Sequence, residues 1–323
     1  MIGAHQPRSK SKAWLIAVLR WLFALLVLGI LFHLLPLAPL KTAIASVPPI
    51  RFVIVLLVYL AAHAVGIAKW RMVVNSAGSQ LDVSSSAQCY LGGLFGTLFL
   101  PSIIGGDVVR MAVGLRKSPR PAAVLAGNVV DRFLDMIAQA TLVAAGLFLL
   151  PGSLPMQFRA IGLKFLLILG GLFAVFVAAV FLLREMIFAG RSRAFLRWLS
   201  RLRHALNSLR QKPHILVTGW VLGLMIQATF ILLNALLAIS CGLFQPFRVW
   251  LFAWPLAKLA ALLPLTQGGV GVREAMLVAL MLPFGASSAL VLAAGLVWEG
   301  VIIAGGLVSG LVAYLLRRTA STS

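Results

Sequence analysis

The stretch Pro101-Ser-Ile-Ile-Gly105-Gly106-Asp107-Val-Val-Arg110 decides how this chain folds, because a second version of it occurs 163 residues later. The second version is Pro264-Leu-Thr-Gln-Gly268-Gly269-Val-Gly-Val-Arg273, and both follow the pattern P-x3-G-G-x3-R. The interval is about half of the 323 residues, and both copies interrupt long apolar segments. Matching breaks in two halves of a hydrophobic chain are typical of membrane transporters built from repeats.

The composition excludes a soluble globular protein. Hydrophobic residues make up 61% of the chain and the mean hydropathy is +1.03, whereas soluble domains are roughly 45–50% apolar. Only seven acids stand against 28 lysines and arginines, for a net charge of +21. These basic residues lie at the ends of apolar runs and not on a polar domain. They therefore indicate membrane topology and contacts with anionic headgroups, and we expect no nucleic-acid partner.

The apolar segments fall into two kinds. Two of them, about 86–116 and 249–283, are divided by the P-x3-G-G element into halves of about 14 residues, too short to cross about 30 Å of hydrocarbon. These predict re-entrant hairpins, in which a half-helix enters, turns at an irregular tip and leaves as a second half-helix. Six continuous segments predict transmembrane helices: 13–35, 52–74, 121–150, 161–183, 214–240 and 286–316.

The distribution of basic residues supports this topology. With the N-terminus cytoplasmic, 19 basic residues fall inside, five outside (Lys41, Arg51, Arg159, Lys164, Arg248) and four at membrane depth (Arg110, Arg132, Lys258, Arg273). Both termini are then cytoplasmic, in a bacterial inner membrane. Three spans per repeat is an odd number, so the copies are inverted. The predicted fold is an all-α polytopic membrane protein with two inverted-topology repeats, 1–152 and 153–323, each with three transmembrane helices and one re-entrant helical hairpin.

A basic amphipathic helix is predicted between the repeats, at about 191–212. Its apolar residues follow helical spacing and its arginines lie on the other side. Two interpretations are open. The helix is either an interfacial linker that fixes orientation or a regulatory sensor, and both place it against anionic lipids of the inner leaflet.

Five of the seven acids lie inside apolar segments, where ionisable groups are costly and usually functional. In each hairpin, the N-terminus of the second half-helix favours an anion, and the motif arginines Arg110 and Arg273 are placed to clamp a phosphate in bidentate fashion. The alternative is that Asp107 and Glu274 cap these half-helices and pair with the neighbouring arginines. The five acids are Asp107, Asp131, Asp135, Glu274 and Glu299.

The third predicted span carries a polar stripe with helical spacing. It consists of Asn128, Asp131, Asp135 and Gln139, with Arg132 beside it. The stripe is either a proton or cation relay facing a cavity, or one partner of a buried ion pair with a hairpin arginine.

Other polar and small residues at membrane depth have simpler interpretations. Lys258 either neutralises Glu274 or contacts a lipid phosphate. Glu299 occupies a place in the last span similar to that of the polar stripe in the third span. Gly306 and Gly310 in the last span form a small-x3-small packing face. We expect no metal site and no cofactor.

Three stretches carry a family resemblance: LFLPSIIGGDVVR, AGNVVDRFLDMIAQ and LLPLTQGGVGVREAML. In this order they resemble the lysylphosphatidylglycerol synthase transmembrane, or flippase-like, membrane protein family. The resemblance covers roughly residues 85–140 and 250–300, and the flanking spans match in hydropathy alone.

The resemblance implies an inner-membrane protein that moves a polar, anionic or phosphate-bearing lipid between leaflets. In some family members a similar membrane region translocates aminoacylated phosphatidylglycerol that a separate soluble domain makes. Because this chain ends at Ser323, just after its last span, we expect no synthase domain and no enzymatic activity. Two alternatives stay open: an integral-membrane enzyme acting on a lipid phosphate, with Asp107, Asp131 and Asp135 as metal ligands, and an accessory protein that does not transport.

Overall fold

The computed structural model describes residues 37–100, 104–150, 156–185, 193–261 and 269–319, with Gly29 and Thr266, and these residues form helices without strands. The predicted span 13–35, apart from Gly29, lies outside the described residues, as do Pro101, Pro264 and Gly268. A short 3-10 turn covers Leu282–Phe284. The helices are α1 (Leu37–Ala45), α2 (Pro49–Ser76), α3 (Val83–Thr97), α4 (Ile104–Lys117), α5 (Pro121–Leu149), α6 (Met156–Glu185), α7 (Arg193–Arg210), α8 (Pro213–Ser240), α9 (Phe247–Ala260), α10 (Val272–Met281) and α11 (Ser288–Thr319).

Four of these helices are long and apolar enough to cross a membrane: α2, α5, α8 and α11. They confirm the predicted apolar helices at 52–74, 121–150, 214–240 and 286–316, and α6 forms a continuous helix over 161–183. Helices α2, α5 and α8 each have proline near the first position, where a missing N–H costs no hydrogen bond and the fixed φ suits a helix.

Each segment that carries the motif folds as a pair of short helices, α3–α4 (the first hairpin) and α9–α10 (the second hairpin). The four helices have 10 to 15 residues, hence lengths of about 15–22 Å. Ser118 follows the first hairpin and its hydroxyl donates to the carbonyl of Ser79, which precedes the hairpin (2.5 Å). Gln245 precedes the second hairpin and its amide donates to the carbonyl of Phe284, which follows it (3.3 Å). The residues that flank each pair of short helices therefore lie close together.

Helices α2 and α8 pack against each other. Helices α2 and α8 both have 28 residues, begin 164 residues apart and run antiparallel. Arg51 at the start of α2 donates to the Ser240 hydroxyl at the end of α8 (2.6 Å), and Val73 near the end of α2 lies against Gly219 near the start of α8. The first hairpin packs through α3 on α11, and the second packs through α9 on α5. Each hairpin therefore packs on the last helix of the other half.

Glycines make these exchanged contacts possible. A Cβ at Gly306 or Gly310 on α11 would lie 2.9 Å from Leu98 and 2.5 Å from Phe95, which confirms the predicted packing face. At Gly146, the position of α5 that precedes Gly310 by 164 residues, a Cβ would lie 2.7 Å from the backbone nitrogen of Phe252 in α9. Gly146 on α5 and Gly310 on α11, which are 164 residues apart, thus both allow a short helix to pack closely: α9 on α5 and α3 on α11.

The first helix of the second hairpin is enclosed by protein. Nine of the fourteen residues of α9 are buried, and Trp250 and Phe252 are among the largest fully buried side chains. The first hairpin is more open, since Phe99 is 58% exposed and Val108 is 50% exposed.

Helix α7 confirms the predicted basic helix but packs differently from the sequence expectation. Its apolar residues Ala205 and Leu209 are buried against the adjoining ends of α2 and α5, with Val73 and Ala126 among their neighbours. Arg197, Arg201, Arg203 and Arg210 are exposed, and Trp198 is 41% exposed. The apolar face of the described helix is thus partly occupied by protein, because the ends of α2 and α5 offer an apolar surface beside it.

Candidate functional site

The first hairpin places Arg110 at the centre of an ion-pair cluster. Its Nη2 lies 2.9 Å from Oδ1 of Asp107, one turn earlier on α4, and 3.6 Å from Oδ2 of Asp131 on α5. Arg132 on α5 reaches the other oxygen of Asp107 at 3.2 Å. The predicted ion pair between the polar stripe and a hairpin arginine is therefore present.

Lys69 on α2 is the main partner of the stripe, and sequence reasoning missed it. Its ammonium donates to Oδ1 of Asp131 (2.6 Å) and to Oδ1 of Asp135 (2.8 Å), and the side chain is 3% exposed. The sequence interpretation counted Lys69 among the 19 cytoplasmic residues, although position 69 lies within the predicted span 52–74. In the structure Lys69 lies within α2, which continues to Ser76. Two acids at helical spacing, with Arg132 as the one cation beside them on their own helix, were the available signal.

Aromatic and amide groups enclose this cluster. The guanidinium carbon of Arg110 lies 5.5 Å from the ring centroid of Trp70 and 5.2 Å from that of Tyr90, both cation–π distances. The Trp70 indole N–H donates to the side-chain oxygen of Asn128 (3.0 Å). The last stripe member, Gln139, has a buried Oε1 without a hydrogen-bond partner among the described residues.

The second hairpin builds a smaller cluster around Arg273. Its Nη2 lies 2.5 Å from both Glu274 and Glu299, and its guanidinium carbon lies 5.7 Å from the ring centroid of Trp254. The other oxygen of Glu274 accepts the backbone N–H of Gly271 (2.7 Å), which begins α10 with φ +83°. Glu274 therefore both caps the half-helix and pairs with the arginine, and Lys258 is not its partner.

The clusters around Arg110 and Arg273 have the same arrangement of contacts. In each, the motif arginine lies against an aromatic ring on the preceding half-helix, Tyr90 or Trp254, and these two positions are 164 residues apart. Each arginine also pairs with an acid close to it in its own half-helix and with an acid on the following long helix. The repeat in sequence is thus a repeat of contacts.

The motif glycines of the first hairpin open its second half-helix. Gly105 and Gly106 lie in the first turn of α4 and are buried. A Cβ on Gly106 would stand 2.6 Å from the carbonyl oxygen of Gly93 on α3, so glycine is needed there for close helix packing. Gly269, in the second tip, has φ +81°, a conformation that favours glycine.

Two adjoining cavities lie between the hairpins. The polar cavity, of about 120 Å³, holds the first cluster. The apolar cavity, of about 470 Å³, is lined mostly by aromatic and aliphatic side chains, with Arg273 and Glu299 in its wall. The residues that line both cavities are His63, Leu94, Thr97, Phe230 and Lys258.

The two hairpins contribute differently to the two cavities among the described residues. Phe99 from the first hairpin and Val270 from the second both line the apolar cavity. The polar cavity is lined by Gly106 and Asp107 of the first hairpin and, among the described residues of the second, by Lys258 alone.

Lys258 differs from the other cations of the site. Its ammonium donates to Oε1 of Gln227 on α8 (2.9 Å) and lies 5.6 Å from the ring centroid of Phe230. In the described part of the chain no carboxylate lies within 4 Å of it.

A search of the described residues finds no group of three His, Cys, Asp or Glu side chains that could hold a metal ion. Asp107, Asp131 and Asp135 instead have ammonium or guanidinium partners. The arrangement is suited to binding charged groups in an apolar setting.

Comparison with known proteins gives one match. The model of the family described as "Lysylphosphatidylglycerol synthase TM region" matches residues 6–310. The chain matches no curated protein and no solved structure.

Proposed function

The chain belongs to the lysylphosphatidylglycerol synthase transmembrane family, and on this premise we propose that it moves a phosphate-bearing lipid between the two leaflets of the membrane. One observation carries the proposal. A polar cavity lined by ionic groups adjoins a larger apolar cavity, and five side chains form their common wall. A lipid has the same division, a charged headgroup joined to apolar chains.

The proposed architecture is an inverted repeat with two re-entrant hairpins. It is supported by the antiparallel packing of α2 on α8 and by the closeness of the residues that flank each hairpin. Inverted repeats give transporters a means of opening one central site to each side in turn. Because the first hairpin packs on α11 and the second packs on α5, a movement that opens the site to one side would also change its access to the other side.

The motif arginines are the proposed phosphate clamp. In the structure, Arg110 and Arg273 are balanced by Asp107, Asp131 and Glu274, with Glu299 beside Arg273. Asp135 and Arg132 extend the first network. A planar guanidinium presents two parallel N–H groups to a phosphate, so a lipid phosphate can exchange with a carboxylate at the same arginine.

The proposed location is the inner membrane, with both termini and α7 on the cytoplasmic side. The excess of basic residues at that side supports it. The exposed arginines of α7 then lie close to anionic headgroups. Transport without a chemical step is proposed, and no enzymatic role is assigned.

The test is lipid movement in proteoliposomes that contain a fluorescent phosphatidylglycerol. We expect Arg110→Lys and Arg273→Lys to slow movement at least tenfold with little loss of thermal stability, because lysine keeps the charge and loses the planar fork. Arg203→Lys, on the exposed face of α7, is the matched control. Wild-type rates in stable Arg110→Ala and Arg273→Ala proteins refute the clamp. Release of a cleaved product from the lipid supports the enzyme alternative, and no movement with wild-type protein supports an accessory role.

A further inference from the structure

We propose that Lys258 and His63 form an anion-binding subsite at the boundary between the polar and apolar cavities, and that it takes the phosphate of a molecule with an apolar tail. The inference rests on the proposed function in taking a lipid as cargo. It assigns the first phosphate contact to residues outside the two arginine clusters.

The partners of Lys258 carry the first part of the argument. Lys69, Arg110, Arg132 and Arg273 each have a carboxylate oxygen within 3.2 Å, whereas Lys258 has a neutral amide and the face of a ring. A half-buried ammonium at membrane depth without a counter-charge is costly, and a bound anion removes that cost. An anion can therefore bind Lys258 without displacing a carboxylate.

His63 supplies a second, independent observation. It is 8% exposed and lines both cavities, and its buried Nε2 has no hydrogen-bond partner among the described residues. Its Nδ1 lies 3.3 Å from the hydroxyl of Tyr90. When that hydroxyl donates to Nδ1, the ring proton is on Nε2, which then donates to a ligand oxygen.

His63 and Lys258 both lie beside the ring of Phe230, whose centroid is 5.1 Å from the imidazole and 5.6 Å from the ammonium. All three residues line both cavities. A phosphate bound to His63 and Lys258 therefore lies where the polar and apolar cavities meet. Its headgroup then faces the first cluster, while its acyl chains enter a space lined by Trp254, Trp298 and aliphatic side chains.

The chemistry that both groups recognise is a phosphate oxygen, and the source is either a lipid or free phosphate. Calorimetric titration of the purified protein in detergent distinguishes them with three probes: dioctanoyl phosphatidylglycerol, dioctanoylglycerol and inorganic phosphate. We expect binding of the first probe only, because the subsite joins a charge site to an apolar space.

The variants locate the binding. We expect Lys258→Met and His63→Phe each to weaken binding of dioctanoyl phosphatidylglycerol at least tenfold. We expect Lys258→Arg and His63→Gln to keep most of it, since they retain the charge and an N–H donor. Lys164→Met, on the exposed side of α6, is the matched control for loss of a lysine. Thermal unfolding of every variant identifies loss of fold, and the two conservative variants keep the proposal testable if either disruptive one does not fold.

The outcomes separate this inference from the proposed function. Wild-type affinity in folded Lys258→Met and His63→Phe overturns the subsite and leaves the arginine clamp standing. Loss of binding in Lys258→Arg and His63→Gln as complete as in the disruptive variants also overturns it. Binding of inorganic phosphate as tight as that of the lipid overturns the lipid assignment. Absence of binding with wild-type protein overturns both the subsite and the proposed function.

Discussion

Replacing Lys69 by methionine should destabilise the protein more than any other single loss of a lysine in the described residues. Methionine keeps most of the side-chain volume and removes the ammonium that lies 2.6 Å from Asp131 and 2.8 Å from Asp135. Asp131 is then left with Arg110 at 3.6 Å, and Asp135 has no remaining ion-pair partner within 4 Å among the described residues. Removing one member of a buried ion pair costs about 3–5 kcal/mol, because the other charge is left uncompensated.

A double-mutant cycle with Asp135→Asn tests directly whether the loss of stability comes from an uncompensated carboxylate. The second substitution removes the stranded charge, so Lys69→Met/Asp135→Asn should recover about 1–3 kcal/mol relative to additivity. The free energy of unfolding is measured by titration with sodium dodecyl sulfate in mixed micelles, with Lys164→Met as the control. If the free energy of unfolding of Lys69→Met lies within about 1 kcal/mol of wild type, or the cycle shows no coupling, then Lys69 is not the charge that stabilises the buried carboxylates of the stripe.

Further predictions concern packing, topology and pH. Gly146→Val should lower thermal stability strongly, because a Cβ there would lie 2.7 Å from the α9 backbone; Gly170→Val, with no atom within 4 Å, should not. Cysteines placed at Ser153 and Ser208 should be labelled from opposite faces of the membrane, and labelling from one face contradicts the proposed topology. Hydrogen bonding from Ser85 lowers the pKa of Asp82, so the carboxylate stabilises the fold above its usual pKa of 3.8 and loses this effect as the pH falls. The stability difference between wild type and Asp82→Ala, about 1 kcal/mol at pH 7, should therefore shrink in thermal unfolding at pH 3, and an unchanged difference contradicts the cap.

The helices could be predicted from sequence because their positions depend on local features, namely runs of apolar residues and prolines at helix starts. Pro49, Pro121 and Pro213 mark helix starts, and about 20 apolar residues in a row leave few alternatives to a helix in lipid. The breaks at the two motifs were equally visible. The close packing of α3 at Gly106 was not visible, because it depends on which residue lies against that glycine.

The pairing of charges could not be predicted from one sequence. The stripe on α5 indicated that Asp131 and Asp135 face something polar, and the motif suggested Arg110. Only the packing of α2 beside α5 brings Lys69 to them. Lys258 was likewise ambiguous, since its distance from Glu274 depends on the direction in which the second hairpin turns.

The ion pairs of the site have an electrical consequence. Its five cations and five acids cancel when all are ionised: Lys69, Arg110, Arg132, Lys258 and Arg273 against Asp107, Asp131, Asp135, Glu274 and Glu299. A site whose own charges cancel carries the charge of its cargo, so a lipid with one negative charge makes the loaded site negative by one. Each such charge carried across the full membrane potential changes the free energy by about 2.3 kcal/mol per 100 mV. If the protein moves an anionic lipid as proposed, an interior-negative membrane voltage would drive that lipid toward the outer leaflet, and collapsing the voltage would slow it.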